Sequence, residues 1–278
     1  MSASPTLPRL VLCELGETGL PDLESFSPFC LKVHRGLKYL GLPYERLHGL
    51  PVSFKKYNPA GQVPVLLVGD SEAVPDSTDI LQRIQQLAGR TFLEGEDPKL
   101  AAEALLWEEF ADTNLAGFLV ASRFADERNW PGVREAFLKA VPGPLRGLIG
   151  RAIRKRIIQA LVGSNVWRAG PEACWRRFSQ TLDALEARAP GDGFWLGAFS
   201  VADIGLFSML HSMRIPLTAW QAEQVAARPK LTRYLERVNA ATRVPSAGSE
   251  APAASRPPDA PVNSLAGGSP PVGSLTVG

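Results

Sequence analysis

The chain has 278 residues, 45% of them hydrophobic, which suits one or two globular domains with substantial cores and leaves room for a tail. A formal net charge of +2 with 21% charged residues makes no demand for nucleic acid or an acidic partner. Cys13, Cys30 and Cys174, even with His34, His48 and His211, are too scattered for a disulfide framework or a zinc site, so no metal and a reducing cytoplasm are expected.

In chain order, residues 1–8 are expected to form a flexible N-terminus, since they lack the basic and apolar segments of an export signal, and no stretch is apolar over the length needed to cross a bilayer. From 9 to 92, strand-length and helix-length apolar runs alternate: Leu10 to Leu15, Leu31 to Leu40, Tyr44 to Leu47, Val63 to Val68 and Ile80 to Leu87. That alternation predicts a small α/β domain. Gly41-Leu42-Pro43 ends the first helix, Gly69-Asp70 turns a hairpin, and Val74-Pro75 closes an edge strand before a helix capped by Asp76 or Ser77. From 98 to 242 the pattern is helical throughout, predicting an all-α domain. Within it Ser200-Val201-Ala202-Asp203 is a capping-box variant whose first role is folding. Residues 243–278, rich in Pro, Gly, Ser and Ala, cannot bury enough apolar surface to offset their ordering entropy and are expected to be a disordered tail.

Three short segments carry chemistry. Ser27-Pro28-Phe29-Cys30-Leu31-Lys32-Val33 puts a hydroxyl and a thiol at a helix N-terminus, where unpaired N–H groups and the helix dipole favour a sulfur anion or another anionic group. Ser before Pro is also an ordinary helix start. In Asn58-Pro59-Ala60-Gly61-Gln62-Val63-Pro64 a proline opens a buried strand. A cis Val63-Pro64 bond is one resolution, leaving the N–H and C=O of Val63 to pair with an extended peptide-like ligand. Asp76-Ser77 places a carboxylate and a hydroxyl at another helix start, suited to the ammonium and carboxylate of one amino-acid-like end; alone, it reads as an N-cap.

In order and spacing these three segments resemble the glutathione S-transferase superfamily, and Phe194-Trp195-Leu196-Gly197 followed by Ser200-Val201-Ala202-Asp203-Ile204 is similar to that family's folding motif. The resemblance implies a thioredoxin-like α/β N-terminal domain and an all-α C-terminal domain. It also implies that Ser27 activates the thiol of glutathione, that Val63-Pro64 and Asp76-Ser77 hold its backbone and γ-glutamyl end, and that Gln62 meets its glycine carboxylate. The string from Ser27 to Val33, the loop from Gly16 to Phe26 and the basic helix near 144–156 further resemble the metaxin and failed-axon-connections branch and its bacterial relatives, a branch that includes proteins without established transferase activity.

A thiol titrating near pH 8.5 is only a few per cent ionised at neutral pH, so a hydroxyl donor at a helix N-terminus raises its reactive fraction. Cys30 offers the alternative of a mixed disulfide with glutathione, but it sits at the fourth, more buried position of such sites. The expected reaction is attack of glutathione on a small hydrophobic electrophile, in a homodimer as is usual in the family. The alternative is a non-catalytic module of the same fold that binds a protein or a membrane. Asp112, Arg123, Trp107, Phe110 and Phe118 are candidates for the electrophile's cleft. The basic helix at 145–158 is expected to pack its apolar stripe, Leu148, Ile149, Ala152 and Ile153, into the second domain and leave its charges in water, with an anionic membrane as the alternative partner.

Overall fold

The computed structural model describes residues 7–93, 97–139, 141–164 and 166–243. Most of the expected N-terminal segment, and all but the first residue of the expected tail, lie outside them.

The N-terminal half runs β1 (Leu10–Glu14), α1 (Pro28–Leu40), β2 (Glu45–His48), β3 (Val65–Val68), β4 (Glu72–Pro75) and α2 (Ser77–Ala88), with the sheet ordered β2-β1-β3-β4. β1 pairs parallel with β2 and antiparallel with β3, and β3 pairs antiparallel with β4. This is the expected thioredoxin-like α/β domain. Its boundaries follow local signals: Ser27 caps α1, Gly41 closes it at φ +69, and Gly69 at φ +60 makes the turn between β3 and β4.

The remainder is helical, with no strand among the described residues. α3 (Pro98–Phe110) continues through a π-turn (Ala111–Leu115), α4 (Ala116–Val120) and a second π-turn (Ala121–Ala125). Then come α5 (Trp130–Phe137), α6 (Gly143–Gly163), α7 (Gly170–Arg188), α8 (Val201–His211), α9 (Ala219–Ala226) and α10 (Pro229–Arg243). One apolar core spans both halves: Leu12, Val33, Leu37 and Leu66 share it with Phe118, Phe178, Phe207 and Leu235. Tyr39 of α1 stacks on Phe199, with ring centroids 3.8 Å apart. Buried Arg35 of α1 donates to Asn239 Oδ1 of α10 at 2.8 Å and to Glu24 at 3.1 Å.

The capping motif has more partners than a local reading gives it. The fully buried Asp203 accepts from the backbone N–H of Trp195 at 2.8 Å and of Ser200 at 2.9 Å, from the Ser200 hydroxyl at 3.2 Å, and from Tyr234 Oη of α10 at 2.7 Å.

The two π-turns each bring an ionisable side chain against the first domain. Asp112, in the first, lies 2.6 Å from Lys32 Nζ of α1. That ammonium is fully buried and equally close to Glu108, which also accepts from Thr78 of α2 at 3.0 Å. One cation between two carboxylates leaves one negative charge in excess. Burial pushes the Asp112 carboxyl up to about 6, Lys32 only partly opposing the shift. Its folded pKa thus exceeds the ordinary value of about 4, so the native state holds a proton that the unfolded chain has lost. Stability from this group should be full below about pH 4 and fall, on the order of 2 kcal/mol in total, as pH rises through about 6. Urea titrations at pH 4.5 and 7.5 should show that difference, and Asp112→Asn should remove it; an identical pH response in both proteins would refute the assignment.

One expectation is overturned. The stripe of Leu148, Ile149, Ala152 and Ile153 does not pack inward: Leu148, Ala152 and Ile153 are exposed and Ile149 only half-buried. The inner face of α6 instead carries Gly150, Arg154, Ile157, Ile158 and Leu161. The phase is set by tertiary partners. Gly150 lets the helix approach Arg134 and Leu138 of the preceding segment, and Arg154 donates to the carbonyls of Phe124 and Ala125 while lying over the Trp130 ring.

Candidate functional site

At the open end of the sheet, a cavity of about 650 Å³ is lined by Leu15, Ser27, Phe29, Pro51, Asn58, Gly61, Gln62, Val63, Pro64, Pro75, Asp76, Ser77 and Asp79. Ser27, Gln62, Val63, Pro64, Asp76 and Ser77 are thus brought together from three separate segments. Cys30 is not among them.

Each wall has a local cause. Ser27 is held by its own capping bond: its Oγ accepts from Cys30 N–H at 3.3 Å, which leaves the hydroxyl proton for a second partner. The Val63-Pro64 bond is cis, and neither the N–H nor the C=O of Val63 has a hydrogen-bond partner among the described residues. Asn58 shapes the preceding turn, accepting from Ala60 N–H at 3.1 Å and donating to the carbonyl of Gln62 at 3.1 Å, while Gly61 takes φ +62. Asp76 caps α2 through Thr78 N–H at 2.8 Å and sits at φ +76, ψ 136, a conformation that side chains other than glycine rarely adopt. Backbone strain of this kind is kept where the surroundings enforce it and is concentrated at ligand sites.

The electrostatics of the cavity are polarised. Asp76 and Asp79 supply carboxylates at one end, and among the described residues no lysine or arginine lines the wall. A carboxylate ligand would therefore depend on hydroxyls, side-chain amides and the N-terminal N–H groups of α1 and α2.

Cys30 lies beneath this wall. Its side chain is fully buried, and burial pushes its thiol up to about 12; hydrogen bonding from Ser27 and Ser25 only partly offsets that. Such a thiol stays protonated at neutral pH and is a poor nucleophile, which weighs against the disulfide alternative. Cys13 and Cys174 are likewise buried free thiols, raised by burial to about 11 and about 12.

The residues considered for a second substrate are placed elsewhere. Phe118 packs on Phe178 in the core, Trp107 packs edge-on against Phe110 and Trp195, and Asp112 is bound to Lys32. Arg123 is buried and donates to the carbonyls of Phe26 and Ser212, so it anchors the peptide just before Ser27 to the residue that ends α8. None of the five lines the cavity. Conversely, Asn58 and Asp79 do line it and were not singled out by the sequence reading, although the Asn-Pro-Ala-Gly turn was a visible signal for the first.

Residues 26–87 match the family model of the glutathione S-transferase N-terminal domain, and residues 165–237 match that of its C-terminal domain. This is the glutathione S-transferase fold. The two matches support membership of the superfamily. Among solved structures, the chain is similar to the β-etherase LigF from Sphingobium sp. strain SYK-6 (TM-score 0.59, 23% identity, covering 84% of this chain and 97% of that one). It is also similar to a glutathione transferase family member from Pseudomonas fluorescens with two glutathione molecules bound (TM-score 0.55, 16% identity, 87% and 96% covered). A glutathione S-transferase from Methylobacterium radiotolerans in complex with glutathione sulfonate is a third (TM-score 0.53, 19% identity, 89% and 100% covered). No curated protein sequence matches the chain.

Proposed function

We propose that this chain is a glutathione-binding transferase in which Ser27 activates the glutathione thiol for attack on a small apolar electrophile. The observation that carries the reading is the convergence of Ser27, Gln62, Val63, Pro64, Asp76 and Ser77 on one cavity. Each supplies a group suited to a different part of an extended tripeptide. The carboxylates of Asp76 and Asp79 suit the γ-glutamyl ammonium, and Ser77 with the first N–H groups of α2 suits its carboxylate. The free backbone of Val63 pairs with the cysteinyl amide, and Gln62 takes the glycine carboxylate. The sulfur then lies toward Ser27, where the hydroxyl proton and the helix N-terminus both lower the cost of the thiolate. Two of the similar structures hold glutathione or its sulfonate, which supports the same ligand here.

The rate enhancement comes from a larger thiolate fraction and from holding sulfur against the electrophile. The electrophile's identity is not fixed by the scaffold, since a β-etherase and glutathione transferases share it. A homodimer and a reducing compartment go with this reading. Kinship with the metaxin-like branch rests on the sequence from Ser27 to Val33, on the loop from Gly16 to Phe26 ahead of it and on the basic helix near 144–156.

Titration calorimetry tests the reading. Glutathione is expected to bind with a dissociation constant in the micromolar to millimolar range, and Asp76→Ala should weaken it without lowering the unfolding midpoint by more than a lost cap, about 1 kcal/mol. No heat at millimolar glutathione would leave only a module of this fold without a transferase role.

A further inference from the structure

α6 is unlike the other helices of the second domain, and neither family-model match includes it. Its sequence from Gly143 to Gly163 has five basic residues and no acidic one. Two of the five are engaged: Arg146 with Glu135 and nearby carbonyls, Arg154 with Glu127 and the carbonyls of Phe124 and Ala125. Arg151, Lys155 and Arg156 make no ion pair or hydrogen bond among the described residues, and all three are exposed. On the same outward side, Leu148 is 63% exposed and Leu145 49%, with exposed Ala152 beside them and Ile153, 37% exposed, at the edge.

The helix period explains why these side chains share a side. At 100° per residue, positions 145, 148, 152, 155, 156 and 159 fall within about 100° of arc, opposite the inner row of Gly150, Arg154 and Leu161. Ile153 and Arg151 flank that arc. The packed side already takes Ile157, Ile158 and Leu161 along with the engaged Arg154, so the outward side is not an ordinary solvated face: it offers large aliphatic groups to water where a surface helix offers charges of both signs.

We infer that this outward face of α6 docks on an anionic lipid surface, with Leu145, Leu148 and Ile153 in the interfacial layer and Arg151, Lys155 and Arg156 against phosphate groups. Charge complementarity selects the partner. An acid-free face with three unpaired cations attracts an anionic surface, and the interspersed aliphatic side chains have a use at a bilayer interface that a free phosphate or a nucleic-acid backbone does not give them. Among the described residues no helix is long and apolar enough to cross a membrane, so attachment is peripheral and reversible. This face is formed by residues outside the cavity, and the inference does not depend on glutathione binding.

Co-sedimentation of the full chain with vesicles tests it. Vesicles with about 30% phosphatidylglycerol in phosphatidylcholine should pellet the protein at least about tenfold more than pure phosphatidylcholine at low salt, the excess shrinking at about 0.15 M salt. Leu148→Ser with Ile153→Ser, and separately Arg151→Glu with Lys155→Glu, should each abolish the excess. Because these side chains are exposed, both variants should keep the parental unfolding midpoint, and a control at Val162, exposed at the rim of the face, should pellet like the parent. Three outcomes would overturn the inference: no excess on anionic vesicles, an excess unchanged in both double variants, or concentration-dependent self-association lost in the same variants, which would make the face an interface between copies.

Discussion

Ser27→Ala is expected to lower turnover with an aryl halide electrophile by about a hundredfold, the usual cost of removing one hydrogen-bond donor aimed at a developing anion. Ser27 is placed for that role by geometry: it lines the cavity, its Oγ accepts from the Cys30 N–H, and its hydroxyl proton, which otherwise faces the neutral Cys30 thiol, is drawn to a bound thiolate as the stronger acceptor. Part of the loss could come from weakening the start of α1, and that contribution is separable. Losing the cap costs about 1 kcal/mol of stability, visible in the unfolding midpoint, whereas losing the donor raises the apparent pKa of bound glutathione, visible as thiolate absorbance against pH. Ser27→Thr keeps both the cap and the donor and should restore most of the rate. Cys30→Ala, by contrast, removes a buried, protonated thiol and should change turnover little. The reverse order, with Cys30→Ala inactive and Ser27→Ala active, would move the chemistry to disulfide exchange and make reduction of a small disulfide the relevant assay.

Asp203→Ala should be the most destabilising single change proposed here, at about 3 to 5 kcal/mol. The carboxylate collects four hydrogen bonds in a fully buried setting, so its loss strands the Trp195 and Ser200 N–H groups and the Tyr234 hydroxyl together. A cap alone would cost about 1 kcal/mol; the excess over that measures the tie to α10. Tyr234→Phe isolates the tie, since it removes one donor and leaves the cap, and should cost about 1 to 2 kcal/mol. Urea unfolding decides the matter. A midpoint for Asp203→Ala no lower than expected for a simple cap would show that the contact with α10 contributes nothing. Glutathione affinity of the folded fraction should be unchanged, because Asp203 does not line the cavity.

The local features of this protein were legible in its sequence because they depend on neighbours a few residues apart. Ser27-Pro28 and Asp76 start helices through their own side chains, and Gly41 ends one because it accepts a left-handed backbone. Val65 to Val68 is short, apolar and bounded by Pro64 and Gly69, so it reads as a buried strand from either end. The candidate glutathione-site residues were readable for the same reason: helix starts and a pre-proline turn have a local chemistry that does not wait for the rest of the fold.

What the sequence left open depended on groups distant in the chain. The apolar and basic residues of α6 fit a helix facing either way; Gly150 against Leu138 and Arg154 reaching the carbonyls of Phe124 and Ala125 chose the face, turning Leu148 outward. Cys30 reads from its place in the helix as the more buried thiol, but how far it is removed from reactivity is set by its full burial beneath the cavity wall, which raises it to about 12. Asp112 and Arg123 read as cleft residues, yet the two π-turns set them against Lys32 and Phe26 of the other domain, where a buried charge must find a partner or carry the cost of desolvation. Helix starts and turns are decided by bonds that close within one turn of chain, whereas burial and charge pairing are decided by which surfaces meet, and that information exists only once both domains are packed.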